Sequence, residues 1–154
     1  MAIKIKGTFL YFDRENGNRR IYKKEIAQSI IDQFNKKKES CDVYGSFGYP
    51  EDFDIPLGQV SHIVEEIHFN SEKNSLEGTI RILDTPKGNI VKDLLKENQL
   101  QSMSIRPRGI GNVNPSTKEI ENFEIVSFDL IPSETDAFKQ FKQNEGDEEK
   151  YFNC

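Results

Sequence analysis

The sequence predicts an α+β domain, a small and mostly antiparallel β-barrel or strongly bent sheet flanked by helices. Two observations carry this expectation. Short runs of β-branched and aromatic residues recur between turn signals, whereas only two stretches place apolar residues at helical spacing. Strands that follow one another through turn-rich connections pair as antiparallel neighbours, and the interspersed helices then cover one face of a bent sheet. The length of 154 residues suits one core, to which eleven Phe and five Tyr contribute large buried areas.

Ile3 to Phe12 reads as the first strand, and Asp13 to Asn18 supplies turn chemistry. A helix follows from Lys23 to about Lys37, with Ile26, Ile30, Ile31 and Phe34 on one stripe. Asp42 to Pro56 leaves a short Val43-Tyr44 strand as a loop rich in Gly, Pro, Asp and aromatic residues, the kind of segment that often carries a site. Val60 to Phe69 and Leu76 to Leu83 form a hairpin across Asn70 to Ser75. Thr85 as cap and Pro86 at the first helical position open a second helix, which ends near Asn98 and whose buried stripe is Ile90, Val91, Leu94 and Leu95. The stretch from Ser102 is a strand, Asn112 to Lys118 a turn, and Ile120 to Leu130 the closing strand before Pro132. One domain is expected over 1–140, with an acidic tail over 141–154.

The formal charge of −5 argues against general nucleic-acid binding, which needs a concentrated basic face. Lys36-Lys37-Lys38 suits the C-terminal end of the first helix instead. Cys41 and Cys154 make no disulfide framework and have no metal-ligand spacing with His62 or His68, so a reducing compartment and no metal or other cofactor are expected. The alternation of Ile3 and Ile5 with Lys4 and Lys6 is too short and too charged for a signal peptide or a membrane span.

Chemistry concentrates in Ser102-Met103-Ser104-Ile105-Arg106-Pro107-Arg108-Gly109-Ile110-Gly111. Serines followed by arginines and glycines fit a nucleophile with an oxyanion turn, but taken alone the stretch reads more readily as a strand end with a basic turn. His62 and His68 are six apart on one strand, an even spacing that places them on one face.

Several segments occur together in one order: Asn18 to Tyr22, Gly45 to Pro50, Val60 to Ile63, Leu83 to Gly88, Arg108 to Gly111 and Phe128 to Ser133. As an ordered set, covering roughly residues 9–138, they resemble the prohead core protease family of tailed bacteriophages, most of all its T4-type branch. The resemblance implies a fold similar to the herpesvirus assemblin proteases and a serine endopeptidase that cuts scaffold and capsid proteins during head maturation. It implies a serine polarised by a histidine, with a third polar residue and an oxyanion site.

Carried over by position, the nucleophile matches Ser104, with Ser102 second, and Asp129 stands where the third member would be. The position of the family's catalytic histidine, just before the Pro of the loop motif, is Tyr49 here, and a phenol with a pKa of about 10 is a poor general base at neutral pH. His62 is the remaining candidate base, although its segment accompanies a separate catalytic histidine in the family. Ile105, Arg106 and Pro107 also intervene between Ser104 and Arg108-Gly109, where the family has serines directly before Arg-Gly. Arg106, Arg108 and Gly109 are the expected binding residues, the arginines meeting a carboxylate or a partner's acidic surface. The expectation is a capsid-assembly or virion structural protein that has lost catalysis, the alternative an active endopeptidase with Ser104 as nucleophile. Expected partners are phage capsid, portal or scaffold proteins or a second copy, with neither nucleic acid nor membrane involved. The expected location is the host cytoplasm during assembly and then the phage head or virion.

Overall fold

A computed structural model describes residues 3–15, 20–48, 55–97 and 103–132. Its elements follow in the order β1 (Ile3–Tyr11), β2 (Ile21–Tyr22), α1 (Ala27–Ser40), β3 (Val43–Ser46), β4 (Val60–Asn70), β5 (Ser75–Ile82), α2 (Pro86–Lys96), β6 (Met103–Val113) and β7 (Glu119–Pro132). One 3₁₀ turn, Lys24–Ile26, precedes α1 and another, Leu57–Gln59, precedes β4. The strands make two sheets, ordered β1-β5-β4-β3 and β2-β7-β6, antiparallel except for the short parallel pairing of β2 with β7. The fold is α+β as expected. Among the described residues it does not close into a barrel, because the outer strands β1 and β6 belong to different sheets.

Both long hairpins turn by the same local chemistry. Asn70 Oδ1 accepts from the backbone N–H of Glu72 and Lys73 at 3.0 and 3.2 Å, and Asn74 closes the turn at φ 52°. Asn114 Oδ1 accepts from Ser116 and Thr117 at 2.9 and 3.2 Å, and Lys118 closes at φ 64°. An Asx side chain standing in for a backbone acceptor makes each register local and therefore readable from sequence.

The helices cover the bent sheets. α1 buries Ala27, Ile30 and Phe34 at i, i+3 and i+7, and runs to Ser40 with Lys37 and Lys38 in its last turn. Thr85 caps α2, its Oγ1 accepting from Gly88 N–H at 3.0 Å and donating to Val60 O. The stripe expected on α2 needs correcting. Val91 is fully buried, but Ile90 is 45% exposed, because Gly88 packs so closely on Leu83 and Ser61 that a Cβ there would overlap the Leu83 carbonyl. That close approach sets the buried face on 88, 91 and 95 and turns Ile90 outward.

The core lies between the sheets and α1. Phe9 and Phe128 meet with ring centroids 5.0 Å apart, and Tyr22 stands edge-on to Phe123 at 5.4 Å. Phe128, Ile80, Ile120, Val64 and Leu76 are fully buried around them. No helix among the described residues is long and apolar enough to cross a membrane.

Candidate functional site

The two sequence motifs flank one strand. On one edge of β7, Phe47 bridges Leu130 in parallel, and Gly48 N–H donates to Leu130 O at 2.8 Å. On the other edge Ser104 pairs with Ile131, Ile105 with Leu130 and Arg106 with Asp129. The Gly45–Gly48 turn and the serine strand therefore stand two strand spacings apart, about 10 Å. Gly48 sits at φ 111°, a left-handed position that glycine supplies. Tyr49, which follows it, and Ser102 lie outside the described residues, as does the acidic tail.

Polar side chains knit the rest of this seam. Ser46 N–H donates to Asp129 Oδ1 at 2.9 Å, and Ser127 Oγ donates to Tyr44 O at 2.6 Å. His62, on β4, reaches past β3 to β7, its Nε2 on Phe128 O at 2.8 Å and its Nδ1 on Ser61 Oγ at 2.7 Å. The carbonyl can only accept, so Nε2 carries the proton and Nδ1 accepts from the Ser61 hydroxyl. Gly45 makes this possible, since a Cβ there would overlap both His62 Nε2 and Phe128 O. Burial holds the pKa of His62 below its ordinary value, and the bond to Phe128 O and nearby Asp129 only partly offset that. The imidazole is neutral, fully buried and bonded at both nitrogens, so neither nitrogen is on Ser104. Ser61, its hydroxyl partner, is itself fully buried, which keeps any substrate carbonyl away from it.

His62 and His68 do not share a face. The β4–β5 register shifts between Val64 and Glu66, and this extra residue reverses the alternation. His62 thus points inward, while His68 lies exposed with Nδ1 2.9 Å from Glu66 Oε2.

Asp129 is bound elsewhere. Its carboxylate takes Arg108 Nε at 2.8 Å and Arg108 Nη2 at 3.2 Å, in addition to Ser46 N–H. Both side chains are buried, at 2% and 5% exposure, so this is an internal ion pair with its charges mutually satisfied. Arg108 thus meets a carboxylate of its own chain. Gly109 is a packing position, because a Cβ would overlap Glu124 O and meet Phe123 Cζ at 2.8 Å. Ser46 Oγ is buried without a hydrogen-bond partner among the described residues.

Ser104 and Arg106 face the opening between the sheets. A cleft of about 350 Å³ is walled by Thr8 to Tyr11, Arg14 and Glu15 on the β1 side and by Ser104 to Pro107 on the β6 side. Arg14 lies over the Tyr11 ring, its guanidinium carbon 3.8 Å from the centroid. A second hollow of about 220 Å³ continues along Ile5 to Thr8 and Met103 to Ile105. Ser104 and Arg106 thus line a cleft and, by the β6–β7 register, share a face of the sheet with Arg108 and Asp129, whereas His62 lies in the seam against Phe128 and Ser61. The structural roles of Gly45, Ser46, Ser61 and Ser127 were not singled out from sequence. No signal in single residues distinguishes them, because each role depends on which strand lies alongside. Among the described residues no three acidic, His or Cys side chains cluster as metal ligands.

No known protein family's sequence pattern matches this chain. No curated protein sequence matches it either. Among solved structures, the bacteriophage T4 capsid assembly protease superposes with a TM-score of 0.76 over 86% of this chain and 84% of that one, at 19% sequence identity. The pairs of motifs that lie far apart in sequence and flank β7 in space are thus set in the fold of a phage capsid assembly protease.

Proposed function

We propose that this protein acts in phage capsid assembly as a protease-like structural factor that no longer cleaves peptide bonds. The observation that carries this reading is the state of His62. Serine catalysis needs a base on the nucleophile, and the one histidine near the seam is fully buried, neutral and bonded to Ser61 and Phe128. Tyr49, at the position where the resembled family has its histidine, supplies no base at neutral pH. Asp129 is likewise held by Arg108 and Ser46, which takes it out of use as the orienting carboxylate of an imidazole. What remains is a cleft with Ser104 and Arg106 on its wall, suited to holding a segment of a head protein without cutting it. The partners on this reading are capsid, portal or scaffold proteins, met in the host cytoplasm while heads assemble.

Purified protein incubated with the capsid and scaffold proteins of its own phage is expected to yield no new fragments, and a Ser104→Ala variant to support normal head assembly. A specific cut that disappears in Ser104→Ala overturns the proposal. Such a result would favour the second reading, an active serine endopeptidase, whose support is that Ser104 lines an open cleft. That reading also predicts labelling of Ser104 by a serine-directed phosphonate.

A further inference from the structure

A groove of about 480 Å³ lies where the start of α1 meets the β6–β7 hairpin, and it shares no described residue with the Ser104 cleft. Gln33 ties α1 to the edge of β7 through Phe123 O and Ile125 N–H. Glu25 and Ser29 precede Gln33 at helical spacing, so they line the groove from the same side. Across the hairpin Ile110 stands opposite Glu124 and Asn112 opposite Asn122, which puts these four on one face. That face is turned to solvent, with Ile110 42% exposed. The next pairing, Val113 with Ile120, leaves Glu121 as the extra residue of a bulge, and it lines the groove as well. Ile26 and Phe123, both packed on the core, complete an apolar floor with Ile110.

Three carboxylates, Glu25, Glu121 and Glu124, therefore surround an apolar floor, and among the described residues the lining holds no lysine or arginine. Glu121 accepts from the Asn114 amide at 3.0 Å, and no ion pair among the described residues neutralises any of the three. They do not converge as ligands of one metal ion, which would need their oxygens within about 2.0–2.6 Å of a single point. A cation whose charges are spaced along a chain meets them one by one. A nucleic acid has the wrong sign for this rim. Exposed ion pairs add at most about fivefold each to affinity, so the occupant also needs an apolar side chain to cover Ile110. From these observations we infer that the groove receives a basic segment of another protein, in which lysines or arginines flank one apolar side chain. The bases meet Glu25, Glu121 and Glu124, and the apolar side chain lies on Ile110 between them. This surface is separate from the cleft, and the inference does not depend on the assembly reading.

The test titrates fluorescein-labelled heptapeptides with the full chain. They carry lysine at the odd positions, serine at the second and sixth, and leucine, phenylalanine or serine at the centre. The leucine or the phenylalanine peptide is expected to gain anisotropy and to shift the ¹⁵N amide signals of Ile110, Gly111 and Asn122, and the serine peptide to bind at least about fivefold more weakly. Combining Glu25→Gln, Glu121→Gln and Glu124→Gln should weaken binding at least about tenfold, as should raised salt in direction. Ile110→Ser should weaken it at least about threefold. Unchanged unfolding midpoints check that these exposed substitutions keep the fold. Absence of binding by both apolar-centred peptides at about millimolar concentration overturns the inference. So does binding undiminished in the triple variant, or a serine peptide that binds as tightly as the leucine one, because charge alone then explains the contact. Shifts confined to Thr8 and Ile105 overturn it by placing the peptide in the cleft. Shifts of Ile110 and Gly111 that follow protein concentration without peptide also overturn it, because the occupant is then a second copy.

Discussion

His62 is fully buried with both ring nitrogens bonded, and burial depresses its pKa from the ordinary 6.5. As pH falls below about 6.5, the unfolded chain takes up a proton at this position that the folded chain refuses. Stability therefore declines on acidification until pH passes the depressed folded value, and is regained on returning to neutral pH. Urea midpoints measured at about pH 7.5 and about pH 5.5 should show this drop. His62→Gln, whose amide can donate to Phe128 O and accept from Ser61, should remove the contribution of this group to the slope. An unchanged acid slope in His62→Gln would assign the acid sensitivity to other groups. The presence of a histidine at this place is plain in the sequence, but its burial is not. The extra residue at Glu65 reverses the strand's alternation, so even spacing wrongly put His62 beside His68.

At the scale of elements, the second edge of β7 shows how a strand is covered without a continuous neighbour. β2 pairs with it only at Glu119 and Ile120, and Phe47, just past β3, bridges it at Leu130. Between them the Gln33 side chain of α1 takes the place of a strand. Its Nε2 donates to Phe123 O at 2.8 Å, and its Oε1 accepts from Ile125 N–H at 2.9 Å. Gln33→Leu leaves both backbone groups unpaired and is expected to lower stability by about 1–3 kcal/mol, read from thermal or urea unfolding. Gln33→Glu keeps the acceptor for Ile125 but sets a carboxylate against Phe123 O, so it should not rescue the loss. A stability equal to the parent's in both variants would rule out the edge-covering role. α1 itself is legible from the spacing of Ile30 and Phe34, and α2 from Thr85 and Pro86. The two-residue β2 is not, since a pairing so short and parallel leaves no periodic trace.

For the whole molecule, Asp129 is the node that fixes one sheet against the other. Its carboxylate links Ser46 on β3 to Arg108 on β6 from near the C-terminal end of β7. Asp129→Asn removes the charge that balances a buried guanidinium, at an expected cost of about 3–5 kcal/mol. Hydrogen exchange should then rise first at Ser46 and Gly48, whose amides bind β7 at this seam. Replacing both members by apolar residues, Asp129→Leu with Arg108→Met, should recover much of that stability, because neither charge is left buried alone. If the double variant is less stable than Asp129→Asn, the pair contributes more than mutual neutralisation.

The sequence by itself determined the α+β class, the hairpins, the caps and the ordered motifs that resemble prohead proteases. Those features depend on neighbours within a few residues, such as Asn70 with Glu72 or Thr85 with Gly88, and local chemistry is written in local order. Only the tertiary structure decided that the sheets stay open between β1 and β6, that His62 bolts the seam past Gly45, and that Arg108 answers Asp129 instead of a partner. Each of these turns on which strands lie side by side and on the parity of their registers. A single bulged residue changes that parity, and so exchanges the buried and exposed sides of everything beyond it.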